Sequence, residues 1–156
     1  MHILFVCTGN TCRSPMASAL ARHHVAAHGL NWTVDSAGIY AVPGQPMAAY
    51  ATDALIRRHV LVPNHQSQPV TPELIEQADL IFAMTRSHKA DLLRKFAEAH
   101  GKVFTLAEFV EGESAAADVT DPFGGSPEVY EACAEALDAT IQKLISRLKE
   151  QRDQAD

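Results

Sequence analysis

Residues 2–15 read HILFVCTGNTCRSP, and the fold turns on that stretch. After His2 the run to Cys7 is continuously apolar, the pattern of a strand buried on both faces. Ser14-Pro15 supplies a cap and a first-turn proline, which open a helix predicted to end near Gly29. Between strand and helix, Gly9 and Asn10 tolerate the left-handed backbone that a tight curl demands. A buried strand that turns directly into a helix is the opening unit of a layered α/β domain.

The rest of the chain extends that unit. Trp32 to Asp35 reads as a second short strand and Met47 to His59 as a helix. Thr71-Pro72-Glu73 repeats the cap-and-proline start. Residues 80–84 (LIFAM) form another buried strand, Ser87 to His100 a helix, and 103–106 (VFTL) the last strand. Residues 111–126, rich in Gly, Ser, Ala and Asp, read as loop, with Glu111 to Asp118 solvated. Ser126-Pro127-Glu128 starts the final helix. On it Tyr130, Cys133, Ala134, Leu137, Ile141, Leu144, Ile145 and Leu148 share one face, with Cys133 in the core. The polar tail after Lys149 should fray. Strands alternating with helices predict a doubly wound α/β fold, a four-stranded parallel sheet with helices on both faces. One domain covers residues 1–150, with 151–156 as a tail. In such folds ligands bind beyond the carboxyl ends of strands, so the turn after the first strand is the place to look.

Composition sets the bounds. The chain has 156 residues, 47% of them apolar and 21% charged, the balance of an ordinary globular domain. A net charge of −6 argues against nucleic acid or an anionic membrane as the partner. No segment has the apolar length of a membrane span, and the N-terminus lacks a secretory pattern. Three cysteines do not make a disulfide framework, so a cytoplasmic protein is expected; a monomer is expected as well. Acidic residues are absent from positions 1–34, where Arg13 and Arg22 lie, so an anion can be held near the N-terminus.

The turn itself reads Cys7-Thr8-Gly9-Asn10-Thr11-Cys12-Arg13-Ser14. A loop curling at a helix start aims backbone N–H groups inward, and the helix dipole adds positive potential. That field favours the thiolate of Cys7, the attacking form of cysteine. Arg13 adds a planar fork that matches two oxygens of a tetrahedral oxyanion. The loop lacks the lysine of a nucleotide-binding Walker motif. A buried cysteine that merely ends a strand is the competing explanation. His24 and His28 lie one helical turn apart, but without a third ligand they read as solvated residues and not as a zinc pair.

The stretch ILFVCTGNTCRSPMA is similar to the signature of the low-molecular-weight protein tyrosine phosphatase family, and Asp121-Pro122-Phe123 resembles its general-acid loop. The likeness runs from His2 to the last helix. It implies that Cys7 attacks phosphorus, that Arg13 and the loop from Thr8 through Gly9, Asn10, Thr11 and Cys12 to Ser14 hold the phosphate, and that Asp121 protonates the leaving group. Ser14 matches the hydroxyl that stabilises the thiolate. Asn10, Ser36 and His65 match the network bracing the loop. The resemblance implies phosphorylated proteins as substrates, with no cofactor and no metal. Cys7 and Cys12 flank one anion-binding loop, so peroxide should join them reversibly. One departure is Ser18, where many relatives place a glutamate.

Thr11, together with Asp121 to Ser126, resembles the bacterial protein-arginine-phosphatase branch. Tyrosine-directed relatives usually carry a larger aliphatic residue at the position of Thr11 and often a tyrosine at or after that of Phe123. A threonine hydroxyl suits a polar guanidinium, whereas an isoleucine would favour a phenyl ring. Phosphoarginine is therefore favoured and phosphotyrosine is the alternative. An arsenate reductase or a non-catalytic phosphate-binding module is more remote. The former needs a cysteine relay, and the latter needs neither the thiol nor Asp121.

Overall fold

The computed structural model describes residues 1–112 and 118–155. The opening apolar run forms strand β1 (His2–Cys7), in which every residue from Ile3 onward is buried. β1 pairs in parallel with β2 (Thr33–Gly38) on one side and β3 (Leu80–Ala83) on the other. β4 (Val103–Thr105) lies beyond β3, so the order is β2-β1-β3-β4. Alternation along β1 sends Ile3 and Phe5 to one face of the sheet and Leu4 and Val6 to the other.

Both faces are covered. Ile3 and Phe5 join Met16 and Leu20 of α1 (Arg13–Ala27) and Leu55 of α2 (Ala49–Arg57). Leu4 and Val6 join Ile75 of α3 (Pro72–Gln77) and Leu92 of α4 (Arg86–Lys95). The short α5 (Leu106–Glu111) and the long α6 (Pro127–Ala155) complete the first layer, α6 through Leu137, Ile141, Leu144, Ile145 and Leu148. Truncating a core side chain such as Phe5 to alanine should cost about 3–5 kcal/mol. The doubly wound parallel sheet read from the sequence is the observed fold.

That topology places the site. The chain leaves β1 toward β2 on one flank and later returns to β3 on the other. The connections after β1 and β3 therefore part above the sheet, leaving a crevice at their carboxyl ends.

Local differences from the sequence reading have identifiable causes. α1 begins at Arg13, with Cys12 at its N-cap and no side-chain cap bond. Ser14 is thus not the cap; its hydroxyl is spent on Cys7 instead. β2 runs on to Gly38 because it pairs with the full length of β1. α4 stops at Lys95, since Phe96 takes extended backbone and seats its ring on the second core cluster. A 3-10 turn at Ala97–Ala99 follows. α5 falls where strand and loop were expected, and a capping box between Thr105 and Glu108, with both bonds at 3.0 Å, starts it. α6 carries no glycine or proline after Pro127 and stays helical past Lys149, where fraying was expected. The solvated loop expected over Glu111 to Asp118 lies mainly outside the described residues; Glu111 itself closes α5.

Candidate active site

The turn after β1 is built inward from Asn10, a fully buried residue with φ of 59°. Its left-handed backbone brings its own N–H to 3.3 Å from Cys7 Sγ. Its side-chain amide donates to Ser14 Oγ at 2.8 Å and to Ser36 Oγ at 2.9 Å, while Oδ1 accepts from the Gln68 amide at 3.0 Å. Its carbonyl accepts from His65 Nε2 at 2.6 Å. With both amide protons placed on Ser14 and Ser36, Ser14 Oγ stands 2.9 Å from Cys7 Sγ and 3.4 Å from the Ala37 carbonyl, the two partners between which its own proton is shared. The four bracing residues expected from the sequence thus form one connected network behind the thiol. Such a network excludes alternative loop geometries, because any break leaves a buried polar atom unpaired.

The end of β2 tightens the same turn. A Cβ at Gly38 would stand 2.5 Å from the Thr8 carbonyl oxygen and 2.9 Å from the Asn10 nitrogen, so only glycine fits. The amides of Ile39 and Tyr40 then hold the carbonyls of Cys7 and Thr8, each at 2.9 Å.

Arg13 is buried, and its Nη1 donates to the Val119 carbonyl at 3.1 Å. Its Nη2 stands 3.5 Å from Asp121 Oδ2. The Asp121 side chain is 53% exposed, and its Oδ1 accepts from the Phe123 amide at 3.1 Å. Cys7, the loop to Arg13 and Asp121 line one cleft of about 280 Å³, with Tyr40, Val42 and Phe123 exposed around it. Larger cavities of about 510 and 460 Å³ lie beside α6 and behind the loop, and neither is lined by Cys7. A thiol, a tightly curled loop, a buried cation and a half-exposed carboxyl group share the small cleft. That set suits attack on a tetrahedral anion with protonation of its leaving group.

Thr11 lines the cleft, and among the described residues its hydroxyl makes only a long contact of 3.7 Å to Cys12 Sγ. Cys12 is buried with its sulfur 3.4 Å from Tyr130 Oη, and all three cysteines are free thiols. Burial and the bond to Cys12 push the Tyr130 hydroxyl above its ordinary range. Cys133, expected in the core, is only half-buried and reaches toward the Thr120 carbonyl at 3.9 Å. Burial pushes its thiol up to about 11, so it is chemically quiet. His24 is not solvated as expected, because its Nε2 stands 2.6 Å from Asp138 Oδ1. Burial would raise the Asp138 carboxyl, but hydrogen bonds from His24 and Arg58 hold it below the usual range.

Sequence reasoning missed several residues of the site, among them Tyr40 and Val42 at the cleft, Gln68 behind Asn10, Gly38 and His88. Gly38 ends a strand assigned too short to contain it. His88, in the first turn of α4, sits 2.8 Å from the Thr8 hydroxyl. The available signal was position, since α4 follows β3 at the switch in topology.

A model of the family described as low molecular weight phosphotyrosine protein phosphatase matches residues 2–154. The chain is 45% identical over 152 residues to a protein-arginine-phosphatase of Bacillus subtilis (strain 168), covering 97% of this chain and 99% of that one. It is 41% identical over 144 residues to the low molecular weight protein-tyrosine-phosphatase PtpB of Staphylococcus aureus, covering 92% and 96%. A structure of a YwlE arginine phosphatase mutant with a phosphorylated active-site serine is similar at a TM-score of 0.93 and 44% identity, covering 98% of this chain and 99% of that one.

Proposed function

This chain belongs to the low molecular weight phosphotyrosine protein phosphatase family, and from that premise we propose that it hydrolyses phosphoarginine in proteins, with Cys7 as nucleophile, Arg13 as phosphate clamp and Asp121 as proton donor. The class itself is a cysteine-dependent phosphoprotein phosphatase. One observation carries the residue roles: the thiol, the buried donors behind it, and the Arg13–Asp121 pair converge on a single cleft.

In the first step Cys7 Sγ attacks phosphorus and an S–P bond forms as the P–N bond breaks. The departing guanidine nitrogen takes a proton from the Asp121 carboxyl. In the second step the Asp121 carboxylate removes a proton from water, whose oxygen attacks phosphorus. The S–P bond breaks, inorganic phosphate leaves, and Cys7 is again a thiolate. Arg13 serves both steps. With Nη1 anchored on Val119, its remaining N–H groups can turn from Asp121 to two phosphoryl oxygens.

The substrate reading rests on the Thr11 hydroxyl, which lines the cleft with no strong partner among the described residues. The names of two relatives, at 45% and 40% identity, agree with it. The exposed apolar side chains of Tyr40, Val42 and Phe123 favour the second reading, phosphotyrosine, because they offer a ring a surface. The test is kcat/KM on phosphoarginine and phosphotyrosine peptides for the wild type and Thr11→Ile. The wild type should prefer phosphoarginine, and the variant should shift the ratio about tenfold toward phosphotyrosine. A wild-type preference for phosphotyrosine would overturn the substrate reading.

The same proposal has the chain acting as a cytoplasmic monomer on proteins, without nucleic acid or membrane. It also includes a redox brake. Peroxide oxidises the Cys7 thiolate to a sulfenic acid, and the Cys12 thiol displaces water to leave a disulfide. Mass spectrometry after mild peroxide treatment should find the Cys7–Cys12 crosslink; sulfinic Cys7 without it contradicts the brake.

A further inference from the structure

We infer that His88 is a positioning residue for the leaving group, pinning the Thr8 hydroxyl so that its oxygen faces the N–H groups of a guanidinium in the cleft. The inference deepens the phosphoarginine reading and rests on it.

Thr8 follows the nucleophile directly and lines the cleft. It is exposed, and a hydroxyl there would ordinarily rotate among its rotamers. His88 prevents this. Its Nε2 lies 2.8 Å from Thr8 Oγ1, from a ring that is itself buried. The ring is fixed at its root, because the His88 amide donates to Thr85 Oγ1 at 3.0 Å in the cap of α4. The other nitrogen, Nδ1, is buried without a hydrogen-bond partner. Thr8 is therefore the only hydrogen-bond partner of the imidazole among the described residues, and an unpaired buried nitrogen is costly enough to require an account.

The imidazole is held neutral. Burial and then Arg13 lower it to about 4, against the opposing carboxylates of Asp91, Asp118 and Asp121. A neutral ring beside Arg13 adds no second cation to a cleft that must admit a guanidinium. Whichever ring nitrogen carries the proton, Thr8 Oγ1 keeps at least one lone pair beyond its bond to the ring. That lone pair can accept an N–H from the leaving group. An aryl phosphate has no such N–H and gains nothing from it, so the pair discriminates by the leaving group rather than by phosphate.

The experiment compares kcat/KM for a phosphoarginine peptide and for p-nitrophenyl phosphate in the wild type, Thr8→Val, His88→Leu, His88→Gln and the double variant Thr8→Val/His88→Leu. Thermal melts accompany each to establish folding. Thr8→Val and His88→Leu should each lower the ratio of phosphoarginine to aryl turnover about tenfold. The double variant should fall no further than either single one, because both remove the same contact. His88→Gln, which keeps a polar nitrogen near Nε2 and the bulk of the ring, should restore most of the ratio. Equal losses on both substrates, or additive losses in the double variant, overturn the inference while leaving the phosphoarginine reading intact. A wild type that does not cleave phosphoarginine overturns both. Should His88→Leu fail to fold, an unchanged ratio in Thr8→Val alone is sufficient to overturn it.

Discussion

The two sides of the cleft are built on opposite plans. On the floor, Asn10, Arg13, Ser14 and Ser36 are almost completely buried, and hydrogen bonds from β1, β2 and the segment 65–68 meet at Asn10. On the rim, Asp121 is 53% exposed and Phe123 78% exposed, and the turn is held by short-range bonds such as Phe123 N–H to Asp121. A nucleophile and its oxyanion donors work only if their geometry is fixed before substrate arrives, because reorganisation would consume the stabilisation. A proton donor must meet leaving groups of different depth and then a water molecule, which an exposed turn permits. On the proposed mechanism, rigidity therefore sits where charge develops, and latitude sits where the proton moves.

That contrast can be broken from the rim side first. Asp121→Asn removes the proposed proton donor but only a half-exposed ion pair, worth at most about 1 kcal/mol. Turnover of phosphoarginine should fall on the order of 10³-fold, while an activated aryl phosphate should lose far less because it needs little protonation. The melting temperature should hardly move. Equal losses on both substrates would assign Asp121 to positioning rather than acid catalysis.

On the floor, stability and activity should fall together. Gly38→Ala places a Cβ 2.5 Å from the Thr8 carbonyl, an overlap with backbone that side-chain rotation cannot relieve. The loop must shift, costing about 1–3 kcal/mol of stability and on the order of 10²-fold in kcat/KM for phosphoarginine and aryl phosphates alike. A variant of wild-type activity would show that the floor tolerates movement and would remove the contrast.

Much of this was legible beforehand because the informative residues are local. Cys7 to Ser14 lie on one turn, and their types alone prescribe a strand end, a left-handed curl and an anion cradle. The strands β1 and β3 were equally legible, since apolar runs buried on both sheet faces leave no alternation to misread, whereas the polar residues of β2 hid its end. The misses share a different cause. Ser14 looks like a helix cap until a thiol from the preceding strand competes for its hydroxyl. Gly38 and His88 act across the sheet, at positions set by pairing of β1 with β2 and by packing of α4 above β3. Nothing at positions 38 or 88 alone announces a partner at position 8. His24 likewise reads as solvated until α6 brings Asp138 against it.

The most direct test of the account asks where the phosphoryl group goes. Asp121→Asn slows release of phosphate from the enzyme, while p-nitrophenyl phosphate, whose leaving group needs little protonation, still phosphorylates it, so acid quench soon after mixing with that substrate should trap the covalent species. Mass spectrometry should then find one phosphoryl group on the peptide that contains Cys7. The same experiment with Cys7→Ala in addition should yield none. Release of phosphate with no modified Cys7 peptide, or a phosphoryl group on another residue, would contradict the nucleophilic role on which the whole arrangement is argued.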